Sequence, residues 1–86
     1  MTYEVYSTFT YDKKYKLGVK IDSEYFTNIQ KLGTELEALN VTNTKEFIKY
    51  MKKFTKQSNL TFENKTLMLE AKEYIESLLM MAQFSF

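Results

Sequence analysis

The chain has no cysteine, no histidine, no proline and no tryptophan, and only two glycines in 86 residues. Each gap closes off a class of chemistry. Without cysteine there is neither a disulfide nor a thiolate zinc site. Without histidine the commonest metal ligand and general base is missing, so a metal would have to be held by carboxylates alone. Two isolated glycines, Gly18 and Gly33, cannot form a glycine-rich phosphate loop. No nucleophile has a base partner and no carboxylates fall at ligand spacing, so the expectation is a protein that is not an enzyme and carries no cofactor. No hydrophobic run reaches the length of a bilayer span, and the opening MTYEVYST lacks signal-peptide features. The expected setting is therefore cytoplasmic, with no membrane partner.

What is present is apolar and aromatic. Hydrophobic residues make up 44% of the chain, including seven Phe, seven Tyr and five Met. That is a large apolar load for one small domain over residues 1–86, because small domains bury a modest share of their surface. With disulfides unavailable, self-association is the remaining stabiliser, and a homo-oligomer, most simply a dimer, is expected. Richness in Lys, Asn, Thr and Tyr without proline points to an AT-rich coding source of the phage or plasmid kind. Net charge is only +1, but it is distributed in blocks. Residues 1–20 and 44–60 are positive, and residues 21–43 and 61–86 are negative. Either the blocks are ordinary solvated surface or the positive ones meet an anionic partner.

The hydrophobic pattern predicts an α+β fold: an N-terminal β-hairpin or β-ribbon followed by three helices. Residues 2–11 alternate, with Tyr3, Val5, Phe9 and Tyr11 on one face and Thr2, Glu4, Tyr6, Thr8 and Thr10 on the other. Asp12-Lys13-Lys14 connects them to a second strand. There Tyr15, Leu17, Val19 and Ile21 alternate with Lys14, Lys16, Gly18 and Lys20. That lysine face is either a positive ribbon or an edge strand guarded against aggregation. Asp22 or Ser23 would cap a helix from Glu24 to Leu39, with Tyr25, Phe26, Ile29, Leu32, Leu36 and Leu39 as its apolar stripe. Gly33 within it would permit the close approach of another backbone. Asn40 fits a left-handed helix end.

Asn43 and Glu46 resemble a capping box for a second helix over 44–56, striped by Phe47, Ile48, Met51 and Phe54. Gln57-Ser58-Asn59 would end it, and Leu60-Thr61-Phe62 would be extended. Asn64 would cap a third helix to Ala82, with Leu67, Ala71, Tyr74, Ile75, Leu78, Met81 and Ala82 inward. The closing Phe84 and Phe86 would be buried, in the chain's own core or against a second copy.

Over residues 14–55 this order of strand, helix, polar turn and helix resembles the ribbon-helix-helix family of DNA-binding proteins. The family's turn runs glycine, apolar residue, two polar residues, then Arg-Ser-Glu, two apolar residues and Arg. Here Asn40 stands in the glycine position, Val41 in the apolar one, and Glu46, Phe47, Ile48 and Lys49 in the last four. Thr44-Lys45 replaces Arg-Ser, and an extra strand precedes the ribbon strand. Residues 60–86 would be a C-terminal helical extension to this core.

The resemblance implies a small dimeric, sequence-specific DNA-binding protein, a transcriptional regulator. The ribbon strands of two copies would pair and enter the major groove. Lys14, Lys16 and Lys20 would face the DNA. The amides of Thr42, Asn43 and Thr44 would grip phosphate, with Lys45 and Lys49 adding charge. The competing expectation is a non-enzymatic protein-binding factor, such as a phage-encoded inhibitor of a host protein. It rests on the aromatic and methionine content, which suits contact anchors.

Overall fold

A computed structural model of the chain describes residues 1–55 and 58–83. Its elements are β1 (Tyr3–Phe9), β2 (Tyr15–Ile21), β3 (Glu24–Phe26), α1 (Ile29–Ala38), α2 (Thr44–Met51), β4 (Thr61–Phe62) and α3 (Lys65–Gln83). The fold is α+β, an N-terminal hairpin with a small sheet followed by helices. The second helix, expected over 44–56, ends at Met51, with Lys52 as its C-cap and a turn over 52–54; the expected burial of Phe84 and Phe86 and the expected break at Gln57 lie outside the described residues.

β1 and β2 pair antiparallel without a bulge, from Tyr3 opposite Ile21 to Phe9 opposite Tyr15. The hairpin closes through Thr10, whose N–H donates to the Lys14 carbonyl at 2.8 Å and whose carbonyl accepts from Lys13 N–H at 3.0 Å. Lys13 has φ 63°, the left-handed seat that glycine usually fills in such a loop.

The expected first helix is shortened from its front. Glu24–Phe26 is a strand, paired to β2 from Ile21 opposite Glu24 to Val19 opposite Phe26. Asp22 and Ser23 are the two-residue turn between these strands, not a helix cap. Asp22 adopts φ 54°, and its side chain accepts from Thr2 N–H at 3.0 Å, tying the start of β1 to the turn. The aromatic and β-branched run Tyr25-Phe26-Thr27 gains more from sheet pairing than from a helix turn. The cap of α1 is Asn28, which has extended dihedrals and a side-chain oxygen accepting from Lys31 N–H at 3.1 Å.

α1 ends as its sequence predicted. Asn40 is left-handed at φ 64°. Its N–H donates to the Glu37 carbonyl and the Val41 N–H to the Leu36 carbonyl, both at 3.0 Å, which is the Schellman arrangement. The expected capping box before α2 does not form. Asn43 is also left-handed, at φ 62°, and its side chain makes no cap hydrogen bond, because that backbone turns the side chain away from the first amides. Asn64 does cap α3, accepting from Leu67 N–H at 2.9 Å.

The decisive arrangement is at β2. One edge is fully taken by β1. The other is shared by β4, opposite Tyr15 and Lys16, and by β3, opposite Val19 to Ile21. Between them Leu17 N–H donates to the Leu60 carbonyl at 2.8 Å. The expectation that residues 14–21 pair with their twin from a second copy is thus not met. Every stretch of that strand already has two neighbours from its own chain, so an interlaced ribbon has no edge to use.

α1 and α3 contact the sheet, and α2 packs on α1. Leu17, Val19 and Ile21 meet Ile29, Leu32 and Leu36 of α1, Phe47 and Met51 of α2, and Ala71, Ile75 and Leu79 of α3 in one buried cluster. Of the stripe expected on α3, which Leu79 and Met80 were to widen, Ala71, Ile75 and Leu79 are buried and Leu67, Tyr74, Leu78 and Ala82 half-buried, whereas Met80 and Met81 are exposed and Met68, outside it, is buried. Gly33 admits the side chain of Ile48 rather than a backbone, since a Cβ there would stand 2.9 Å from Ile48 Cδ1. β1 is covered only along its first half. Tyr3 and Val5 touch the core, whereas Phe9 and Tyr11, expected on the same inward face, are 61% and 106% exposed.

Candidate interaction face

Alternation along the strands gives the sheet a second face, opposite the helices. The register aligns Glu4, Lys20 and Tyr25 in one row, Tyr6 and Gly18 in the next, and Thr8, Lys16 and Thr61 in the third. Their side chains share the side from which Leu17, Val19 and Ile21 point away. Glu4, Thr8, Lys16 and Tyr25 of this face are exposed, and Tyr6, Lys20 and Thr61 half-buried.

Its centre is aromatic. The Tyr6 ring lies against Gly18, close enough that a Cβ on Gly18 would fall 2.5 Å from Tyr6 Cε2. Gly18 therefore makes the seat for a tyrosine ring, a role its place in the alternation did not reveal. Tyr25 meets Tyr6 edge-on, with ring centroids 6.4 Å apart, and the Lys20 ammonium sits 5.3 Å from the Tyr25 centroid. Tyr25 is nonetheless 65% exposed, so the cluster offers aromatic surface and a cation to solvent together.

The lysines expected to carry function divide into two sets. Lys14, Lys16 and Lys20 do come together on the outer sheet face. Lys14 is engaged there in an ion pair with Glu63 at 2.6 Å, and Glu4 stands opposite Lys20. Lys16 is exposed. The second set, Thr42, Asn43, Thr44, Lys45 and Lys49, belongs to α2 and the turn before it. α2 is held to α1 by Ile48 at Gly33 and to α3 by stacking of Phe47 and Tyr50 on Tyr74, at 6.0 and 4.4 Å between centroids. Thr42, Asn43, Lys45 and Lys49 are exposed and Thr44 half-buried.

Sequence reasoning missed Tyr6 and Tyr25 as surface groups. Tyr25 is expected in the stripe of the first helix, but that helix begins only at Ile29. Tyr6 did carry a signal, as the one aromatic residue in the polar column of β1, directly opposite a glycine once the hairpin register is drawn.

Elsewhere a hollow of about 490 Å³ opens between the hairpin loop and the end of α2, lined among others by Asp12, Lys14, Lys52, Lys53 and Glu63. Its walls carry both signs of charge and Lys14 is already paired, so it is a poor anion site. Among the described residues, no group of acidic side chains is arranged to hold a metal ion, and no helix is long and apolar enough to cross a membrane. Comparison with known proteins finds no matching family model, no matching curated protein and no matching solved structure.

Proposed function

We propose that this chain is a non-enzymatic protein-binding factor that engages its partner through the face of the sheet that carries Tyr6, Lys20 and Tyr25. The observation that carries this reading is the cluster of Tyr6, Tyr25 and Lys20, in which Tyr25 is 65% exposed. Tyrosine is a preferred interface anchor, because a rigid ring buries much area and loses little side-chain entropy. The Tyr6 ring is further fixed by its seat on Gly18, which reduces what must be ordered on binding. Charge on the face is mixed, with Glu4 and Glu63 among the three lysines. Such a face suits a protein surface better than a nucleic-acid backbone, whose binding rests on releasing counterions at many phosphates.

Regulation of transcription through DNA remains the second reading, favoured by exposed Lys16 beside Lys20. It would now need these lysines to act without a ribbon shared between copies of β2.

The two readings separate in one set of measurements. The chain is immobilised and challenged with nuclease-treated lysate, alongside Tyr25→Ala and Tyr6→Ala. Protein binding predicts a partner retained by the native chain and lost from both variants. Duplex binding is followed in parallel by fluorescence anisotropy. Duplex affinity that falls steeply with salt and vanishes in Lys16→Glu/Lys20→Glu, with no protein retained, would replace the proposed reading with the second one.

A further inference from the structure

β1 is the outermost strand of the sheet, and its free edge can be specified amide by amide. Thr10 N–H donates to Lys14, and the Thr2 carbonyl accepts from Asp22 N–H. Even-numbered residues of β1 thus direct their backbone groups toward β2, since the groups of successive residues alternate sides in an antiparallel pair. The N–H and C=O groups of Tyr3, Val5, Ser7 and Phe9 point the other way and meet no partner among the described residues.

Natural edge strands are blunted by lysine, proline, a bulge or brevity. β1 has none of these. Its seven residues read YEVYSTF, and its register with β2 is unbroken.

We propose that β1 pairs antiparallel with β1 of a second copy of this chain, joining two sheets into one across a two-fold axis at Tyr6. The strand is complementary to itself in that register. Tyr3 faces Phe9 of the second copy, Val5 faces Ser7, and all the outward amides are matched, giving on the order of eight inter-strand hydrogen bonds. Glu4 is the only residue of β1 charged at neutral pH, and it falls opposite Thr8, so no like charges meet. Phe9, left 61% exposed in the protomer, gains an aromatic cross-strand neighbour. Exposed Met1 and Tyr11 flank the strand at opposite ends, and antiparallel copies bring each beside the other.

The contact is small, so the dimer is weak, below the size class of stable interfaces at about 1,200 Å². It does not depend on what the outer face binds. It would, however, place Tyr6 of both copies side by side, making that face continuous across the axis.

Sedimentation equilibrium of the full chain, from about 10 µM to about 1 mM, reads the association directly. A reversible monomer–dimer equilibrium is expected within the weak range described above. Ser7→Pro removes an N–H that has no partner inside the protomer, and proline is tolerated at such edge positions. This variant should be a folded monomer throughout. Thr8→Glu is the second variant, chosen because its intramolecular neighbour is Lys16, which favours the protomer fold. It places two like-charge pairs across the axis and should weaken association roughly two- to thirty-fold. Adding Glu4→Gln should restore the native constant. A native chain that stays monomeric at about 1 mM overturns the proposal, as does a dimer that Thr8→Glu leaves unchanged.

Discussion

β1 and β2 are both seven-residue strands, paired to each other along their whole length, and they lead opposite lives. β2 carries lysines, which ordinarily signal an exposed edge or a nucleic-acid ribbon, yet it is the inner strand with both edges occupied. β1 carries no lysine and is the strand left open. Side-chain alternation reports which residues share a face of the sheet. It does not report which backbone edge is free, because edge occupancy is set by segments far along the chain, here residues 24–26 and 60–62.

That comparison can be broken most severely through the core. Leu17 on β2 is fully buried and Phe9 on β1 is mostly exposed. Leu17→Ala should cost about 2–5 kcal/mol, through lost burial and the cavity left behind. Phe9→Ala, measured below the association range, should stay within about 0.5 kcal/mol. Urea denaturation of both variants checks the contrast, and equal losses would mean that the far half of β1 is covered after all.

A smaller effect is expected where the strands touch across the outer face. Gly18→Ala must displace the Tyr6 ring. The ring can swing toward solvent, so the cost should be limited to the lost packing and the Tyr6–Tyr25 contact, about 0.5–1.5 kcal/mol. In a double-mutant cycle with Tyr6→Ala the penalty should largely disappear.

Smaller still is the gain at the loop joining the strands. Lys13→Gly relieves a left-handed residue, and a stabilisation of about 0.5–1 kcal/mol is expected from the thermal midpoint. The relief is partly offset by glycine's larger unfolded-state entropy.

The gentlest test contrasts the tyrosine packed behind the sheet with those in front of it. Burial, then the neighbouring Tyr50 and Glu46, raises the Tyr74 phenol above its ordinary value of 10.0. The folded chain therefore keeps this proton at a pH where the unfolded chain has released it. Its contribution to stability should be complete below pH 10 and decline as pH rises beyond it. Denaturation series in this range should show a shallower decline for Tyr74→Phe than for the native chain.

The parts of the fold legible in the sequence were those governed by local chemistry. Asn40 announced the end of α1, Asn64 the start of α3, and Leu17, Val19 and Ile21 the inward face of β2. What was not legible depended on competition between partners. Asp22-Ser23 is as good a helix cap as it is a turn, and only β2, waiting to pair with residues 24–26, decides between them. The same choice moved Tyr25 from an imagined helix stripe to the outer face. Lys16 and Lys20 were placed correctly on one face, but their company of Tyr6 and Tyr25 was visible only once both pairings of β2 were known.

Amide hydrogen exchange, followed residue by residue at two protein concentrations, examines the occupied edges of β2 most directly. The arrangement described here predicts that Leu17, Val19 and Ile21 are strongly protected even at high dilution, because their N–H groups are bonded within one chain. Only the amides of Tyr3, Val5, Ser7 and Phe9 should gain protection as concentration rises. Free exchange at Leu17, Val19 and Ile21 in dilute solution, with protection appearing only on association, would contradict it and return β2 to the role of a shared ribbon.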